Sequence, residues 1–333
     1  DNTYTGGTSV LAGTLMTGAS ERLADAGAVN VDGATAILNI AGNTETVGAV
    51  SLKAGGTIQG VGGTLVAGGG YAVEKGTISV SNIQGSGGLT KTTAGTVTLN
   101  GAATYGGTTS VTAGKLAVGT GGSLSLAGDV TVDGATAILD IGASTSSAGT
   151  VALKAGGTID GTGTLTGTSY AVEDGTINVK LSGTGVALTK TTGGTVTLTG
   201  ANSYDGLTSV SGGVLNIRNA GALGTIAAGT TVADLAALEL QGGIAVGAET
   251  LTLNGTGVAN AGALRSRSGA NSITSAITLG SAARINSDEA GVALTLTGGI
   301  TGTGLGLTVG GTGDTTIDTA GINTSAAGTL TKD

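Results

Sequence analysis

LTKTTAGTVTLNGAATYGG, residues 89–107, returns as LTKTTGGTVTLTGANSYDG at 188–206. Inside it, TVTL alternates polar and apolar residues between glycines. A period of two over four to six residues, bounded by Gly, Asn or Asp, reads as a β-strand. The same grain runs through ISVS (78–81), LSLAGDVTVDG (124–134), LELQGGIAV (238–246), ALTLTGG (293–299) and LGLTVGG (305–311). No window keeps helical spacing. LADAGAV (23–29) and VADLAALEL (232–240) are the Ala-rich segments, and both are short and set between glycines.

The repetition extends outward from that stretch. VNVDGATAILNI (29–40) returns as VTVDGATAILDI (130–141), VSLKAGGTIQG (50–60) as VALKAGGTIDG (151–161), and YAVEKGTISV (71–80) as YAVEDGTINV (170–179). Two long repeats cover about 1–100 and 101–200, and divergent rungs follow over 201–333. The opening DNTYTGGTSVLAG is a third copy of the motif that begins near 103 and 202, without the strand pair that precedes the other two. The closing GTLTKD (328–333) matches the start of such a pair. The chain therefore reads as a window on a longer tandem array.

Composition narrows the fold. The 333 residues include 68 Gly and five Tyr, with no Pro, Cys, His, Trp or Phe. Hydrophobic residues make up 39% and charged residues 10%, with a mean hydropathy of +0.35, which separates the chain from disordered sequences. Collagen is excluded, because glycine does not fall at every third position and proline is absent. Short Val/Leu/Ile strands with glycine corners cannot close a compact core alone, but they can stack, each rung burying its aliphatics on its neighbours. The fold expected is all-β: a parallel β-helix, one continuous solenoid over 1–333 with roughly 15–17 rungs. Tandem β-sandwich domains are the alternative, since their length of about 100 residues matches the repeat.

GGLTKTTAGTVTLNGAATYGGTTSVTAGKLAVG (87–119), its partner at 186–217 and the broken copy at 1–16 resemble the autotransporter-associated β-strand repeat. Residues 216–258 also resemble the text between such repeats. The resemblance implies a right-handed β-helical passenger of type V secretion, or a large surface adhesin, outside a Gram-negative cell. The membrane β-barrel that normally accompanies such passengers is not in this sequence, nor is a signal peptide.

Little here can do chemistry. Without His or Cys there is no catalytic triad, thiolate or disulfide. The candidate carboxylate pairs are Asp32 with Asp133, Glu74 with Glu173, Asp160 with Asp174, and adjacent Asp288 and Glu289. The first two pairs recur one long repeat apart, about five rungs, and most of these carboxylates neighbour turn glycines. Asp288 and Glu289 read as a solvated turn. GGTGDTTID (310–318) approximates a calcium nonapeptide, but Asp314 stands one position early and the unit occurs once. T-x-T recurs at 96–98, 195–197, 250–252, 295–297 and 329–331, too sparsely for an ice-binding ladder. Lys53, Lys154, Lys91 and Lys190 are expected at exposed strand positions. Tyr71, Tyr105, Tyr170 and Tyr204 are expected beside turns, packing over corners, with contact to sugars or proteins as the other option.

The expected site list is empty: no catalytic, cofactor-binding or metal residues, and no cofactor. Net charge is −8 and the pI is 4.5, with scattered cations and no basic run longer than RSR at 265–267. That excludes nucleic acid as a partner and gives no attraction to anionic lipid. No segment is apolar enough to insert in a membrane. The functional expectation is a non-enzymatic, rod-like structural protein of the cell surface, a passenger, adhesin or extracellular fibre segment. Its partners would be a host or neighbouring cell surface, glycan or protein, or further copies of itself. The alternatives are a polysaccharide-active β-helix enzyme and a subunit of an end-to-end stacked filament.

Overall fold

A computed structural model describes residues 4–318, 320–325 and 327–333; Asp1, Asn2 and Thr3 of the opening motif lie outside the described residues. The chain is all-β, with parallel strands stacked as β-solenoid turns, about 15 in all. It divides into two compact units, Asp1–Thr168 and Ser169–Asp333.

In the first unit three ladders run side by side. The first ladder stacks Thr8–Val10, Val29–Asp32, Val50–Lys53, Tyr71–Val73, Leu89–Lys91, Thr109–Val111, Val130–Asp133 and Thr150–Lys154, each parallel to the next. The second runs from Gly13–Met16 through Ala36–Asn39, Thr96–Leu99 and Gly114–Val118 to Gly157–Asp160. A third includes Thr44–Val47, Ala102–Ala103 and Ser123–Leu124. Alternation decides which residues point inward. Val31, Leu52, Val111 and Val132 are fully buried in one row, while Asn30 and Ser51 between them face out. Each buried Val or Leu contributes roughly 1.5–3 kcal/mol, and the backbone bonds run from turn to turn.

The second unit repeats the plan. Its first ladder runs from Ser169–Val172 through Leu188–Lys190, Thr208–Val210 and Thr230–Val232 to Ile322–Asn323. Its second ladder runs from Gly175–Ile177 through Thr195–Leu198, Gly213–Ile217, Ala236–Gln241 and Leu264–Ser268, then the end of Ile277–Ser287, Leu307–Gly310 and Leu330–Lys332.

Every pairing described is parallel, which overturns the tandem-sandwich alternative, a fold of antiparallel sheets. Neither Ala-rich segment is helical; Ala236–Gln241 is a strand, and the one helical element among the described residues is the 3₁₀ turn Val258–Asn260. The closing LTK departs from expectation. Leu330–Lys332 copies Leu188–Lys190 in sequence but stands in the second ladder, on Leu307–Gly310. The place it would take by likeness holds Ile322–Asn323, on Ile300–Thr301. Ladder membership follows the chain length since the last corner, and a three-residue likeness does not override it.

Candidate functional site

The residues that give the repeat its wording turn inward. In LTK, Leu89 and Lys91 share parity, so a buried Leu89 puts Lys91 in the same inward row. Lys91 lies between Val73 and Val111 in register and is fully buried, as is Lys190 between Val172 and Val210. This overturns their expected exposure. Only their amines turn aside, to the corner carbonyls. Lys91 Nζ donates to Thr93 O and, at 3.1 Å, to Ala113 O one turn on. Lys190 donates to Thr192 O and, at 3.0 Å, to Gly212 O. Burial lowers the pKa of both amines; Glu74 opposes this at Lys91, and Asp174 and Glu173 at Lys190. Lys53 is part-exposed, with its amine 3.8 Å from the Glu74 carboxylate.

The four recurrent tyrosines are also interior. Tyr71, Tyr105, Tyr170 and Tyr204 are at most 2% exposed, which overturns both corner packing and a sugar-binding surface. Tyr71 and Tyr105 rings lie 5.8 Å apart, Tyr170 and Tyr204 5.9 Å. The Tyr71 hydroxyl donates to Leu65 O and Gln84 O at 2.9 and 2.6 Å. Tyr105 bonds Thr109 at 2.6 Å, Tyr204 bonds Thr208 at 2.8 Å, and Tyr4 bonds Thr8 at 2.6 Å. Burial raises the pKa of Tyr71, Tyr105 and Tyr204, keeping each hydroxyl neutral. Tyr105 and Tyr204 share a fixed Tyr-x₃-Thr spacing with Tyr4, whereas Tyr71 and Tyr170 do not have it.

Asp32 and Asp133 are five ladder steps apart, about 24 Å at the usual strand spacing. Each is in register with a lysine, Lys53 and Lys154. Glu74 and Glu173 fall in different units, as do Asp160 and Asp174. The structure does pair Asp160 in register with Asp140, a residue absent from the expected set. Burial pushes the Asp140 carboxyl up, but Lys115 at 2.5 Å and the Gly142 N–H at 2.8 Å bring it below its ordinary value. That is the wrong direction for a general acid. Asp314 is exposed, and among the described residues no group of three or more His, Cys, Asp or Glu could hold a metal ion.

One polar cluster stands apart, on the outer face of the second ladder in the second unit. Asn216, Glu239, Arg265 and Asn286 follow one another in register. Arg265 donates to Glu239 at 3.0 Å and to Asp288 at 2.5 Å. Asn216 donates to Glu239 and Gln241 at 3.3 and 3.2 Å, and receives the Arg218 Nε at 3.0 Å. Arg267 reaches Asp288 at 3.5 Å and lies 3.8 Å from Glu239. Glu289 accepts the Gly269 N–H at 2.5 Å. Asp288 is therefore part of a bonded network, which corrects its expected solvation, while Glu289 is exposed in the turn as expected.

Among the described residues no helix is long and apolar enough to cross a membrane. The passenger-associated-transport-repeat family matches residues 1–16, 89–118 and 188–217. No curated protein and no solved structure matches the chain. The three matched repeats and the β-solenoid fit an autotransporter passenger-type repeat protein, a type that is secreted or surface-located.

Proposed function

We propose that this chain is a non-enzymatic scaffold of the bacterial surface, a passenger segment that holds a long repetitive face outside a Gram-negative cell for adhesion or display. The observation that carries this reading is the inward aim of the repeat's own signature. Within the matched segments, Lys91, Tyr105 and Thr109, and again Lys190, Tyr204 and Thr208, spend their polar groups on the neighbouring turn or on each other. A repeat built this way keeps its brace inside and leaves its outer face free for contacts. Weak outer contacts then multiply along the stack.

The competing reading is a polysaccharide-active enzyme on the Asp140–Asp160 pair. Incubation with pectin, alginate and host glycans tests it. The scaffold reading expects no chain shortening by size-exclusion chromatography. Depolymerisation that disappears in Asp140→Asn or Asp160→Asn would replace the scaffold reading with the enzymatic one.

A further inference from the structure

Two strands of the repeat stand at an open edge. Among the described residues, Thr8–Val10 pairs only with Val29–Asp32, and Gly13–Met16 only with Ala36–Asn39. Their counterparts in the other two copies are Thr109–Val111 with Gly114–Val118, and Thr208–Val210 with Gly213–Ile217. Those strands are paired on both sides. In both copies the turn beneath carries the same text, LTK under the first ladder and TVTL under the second. Tyr105, Tyr204, Leu116 and Leu215 are sealed there at 0% exposure, whereas their counterparts Tyr4 and Leu15 are 43% and 39% exposed.

The backbone bonds to that turn are the same in both copies. Leu89 N–H donates to Thr108 O, and Leu188 N–H to Leu207 O. In the other direction Thr112 and Ser211 donate to Lys91 O and Lys190 O, and Lys115 and Val214 to Gly95 O and Gly194 O. At the edge the corresponding groups are Gly7 O, Leu11 N–H and Thr14 N–H, with no strand on that side among the described residues. Ala12 holds the place of Ala113 and Gly212, whose carbonyls receive the Lys91 and Lys190 amines. The edge also lacks the usual guards against strand addition. Gly13–Met16 has no charged residue, proline or bulge, and Leu15 and Met16 line a groove of about 540 Å³ with Tyr4, Thr8 and Leu23.

We infer that this edge is an acceptor for an extended, unfolded copy of the repeat's LTK-to-TVTL text, which adds to it as one further solenoid turn. Main-chain bonds along the two ladders supply the attraction, and the inward pockets select the text. Seated as in the other copies, the incoming leucine lies against Thr8 and the lysine against Val10, with its amine on Ala12 O. The first valine of TVTL then covers Leu15. A folded second molecule does not offer this match. Its last strand, Leu330–Lys332, carries LTK in the second ladder, beside an Asp333 clamped by Arg284 at 2.7 and 2.9 Å. A finished turn therefore templates the folding of chain that is still extended, which is how a stack of turns propagates.

The test is fluorescence anisotropy of a labelled peptide, GLTKTTAGTVTLNG, the text of 88–101, titrated with the whole chain. The expected result is saturable binding, with none by a peptide of the same composition in scrambled order. Acetylating the peptide's lysine removes the donor to Ala12 O and should weaken binding about tenfold. Leu15→Asp in the chain should weaken it at least as much while leaving the far-UV circular dichroism unchanged. Val97→Asp in the peptide probes the same contact without altering the protein. Absence of binding, or equal binding of the scrambled peptide, overturns the acceptor edge. Equal binding of the acetylated and Val97→Asp peptides overturns the seating. Association between folded chains that the peptide does not displace would give the edge to a second molecule and overturn the assignment.

Discussion

Lys91 Nζ donates to the carbonyl oxygen of Ala113 at 3.1 Å, one turn further along the solenoid, and Lys190 does the same to Gly212 at 3.0 Å. The bond ties a corner to the next corner from inside. Lys91→Ala removes the stem and the donor together, leaving a cavity in the Val73–Val111 row. The expected cost is about 2–4 kcal/mol, read from urea midpoints. Amine acetylation of the native chain followed by mass spectrometry should modify exposed Lys75 and Lys180 while sparing Lys91 and Lys190. Equal labelling of all four would contradict the buried placement.

The Tyr105 hydroxyl and Thr109 are 2.6 Å apart with both residues fully buried. Tyr105→Phe keeps the ring against Tyr71 and strands the threonine hydroxyl, for a loss of roughly 1–2 kcal/mol. Tyr105→Ala also removes the ring and should cost about 3–5 kcal/mol. A thermal-melt series of the two variants should show that order.

Glu249 is 6% exposed and accepts a bond from Thr230 at 2.7 Å. Burial raises its pKa, with the Thr230 hydroxyl opposing. The folded state therefore holds this proton more tightly than the unfolded chain. The resulting stability is fully present below the ordinary glutamate value and is lost as pH rises through the raised one. As pH rises above the ordinary glutamate value of about 4, denaturation midpoints should fall more steeply in the wild type than in Glu249→Gln. Identical pH slopes would show that Glu249 does not titrate in this way.

Gly85 has φ +132°, and a Cβ there would stand 2.0 Å from the Ala67 carbonyl oxygen of the turn below. Gly85→Ala should cost more than about 1 kcal/mol. Gly18 has open space around it and no positive φ, so Gly18→Ala should stay within about 0.5 kcal/mol. Chemical denaturation of the pair separates a steric glycine from a merely frequent one.

Much of the fold was legible because parallel stacking needs a period, and the period is written in the chain. TVTL at 96–99 and 195–198 alternates as a strand must, and the two copies occupy equivalent ladders in their units. Lys91 was misread because lysine usually faces water, although the buried Leu89 two residues earlier already fixed its parity. The tyrosines were misread for a similar reason: they neighbour turn residues in sequence, yet the corner folds their rings into the interior.

The sequence by itself determined the all-β solenoid, the repeat length and the family likeness, since strand alternation, glycine corners and recurrence are local properties. Only the tertiary structure decided which residues meet. It set Leu330–Lys332 in the second ladder despite its resemblance to Leu188–Lys190, stacked Asp140 on Asp160, and brought Arg265 and Arg267 to Glu239 from a strand more than 20 residues further along the chain. Those meetings depend on how many residues each corner consumes, because one residue more or less moves a side chain to the opposite face of its strand.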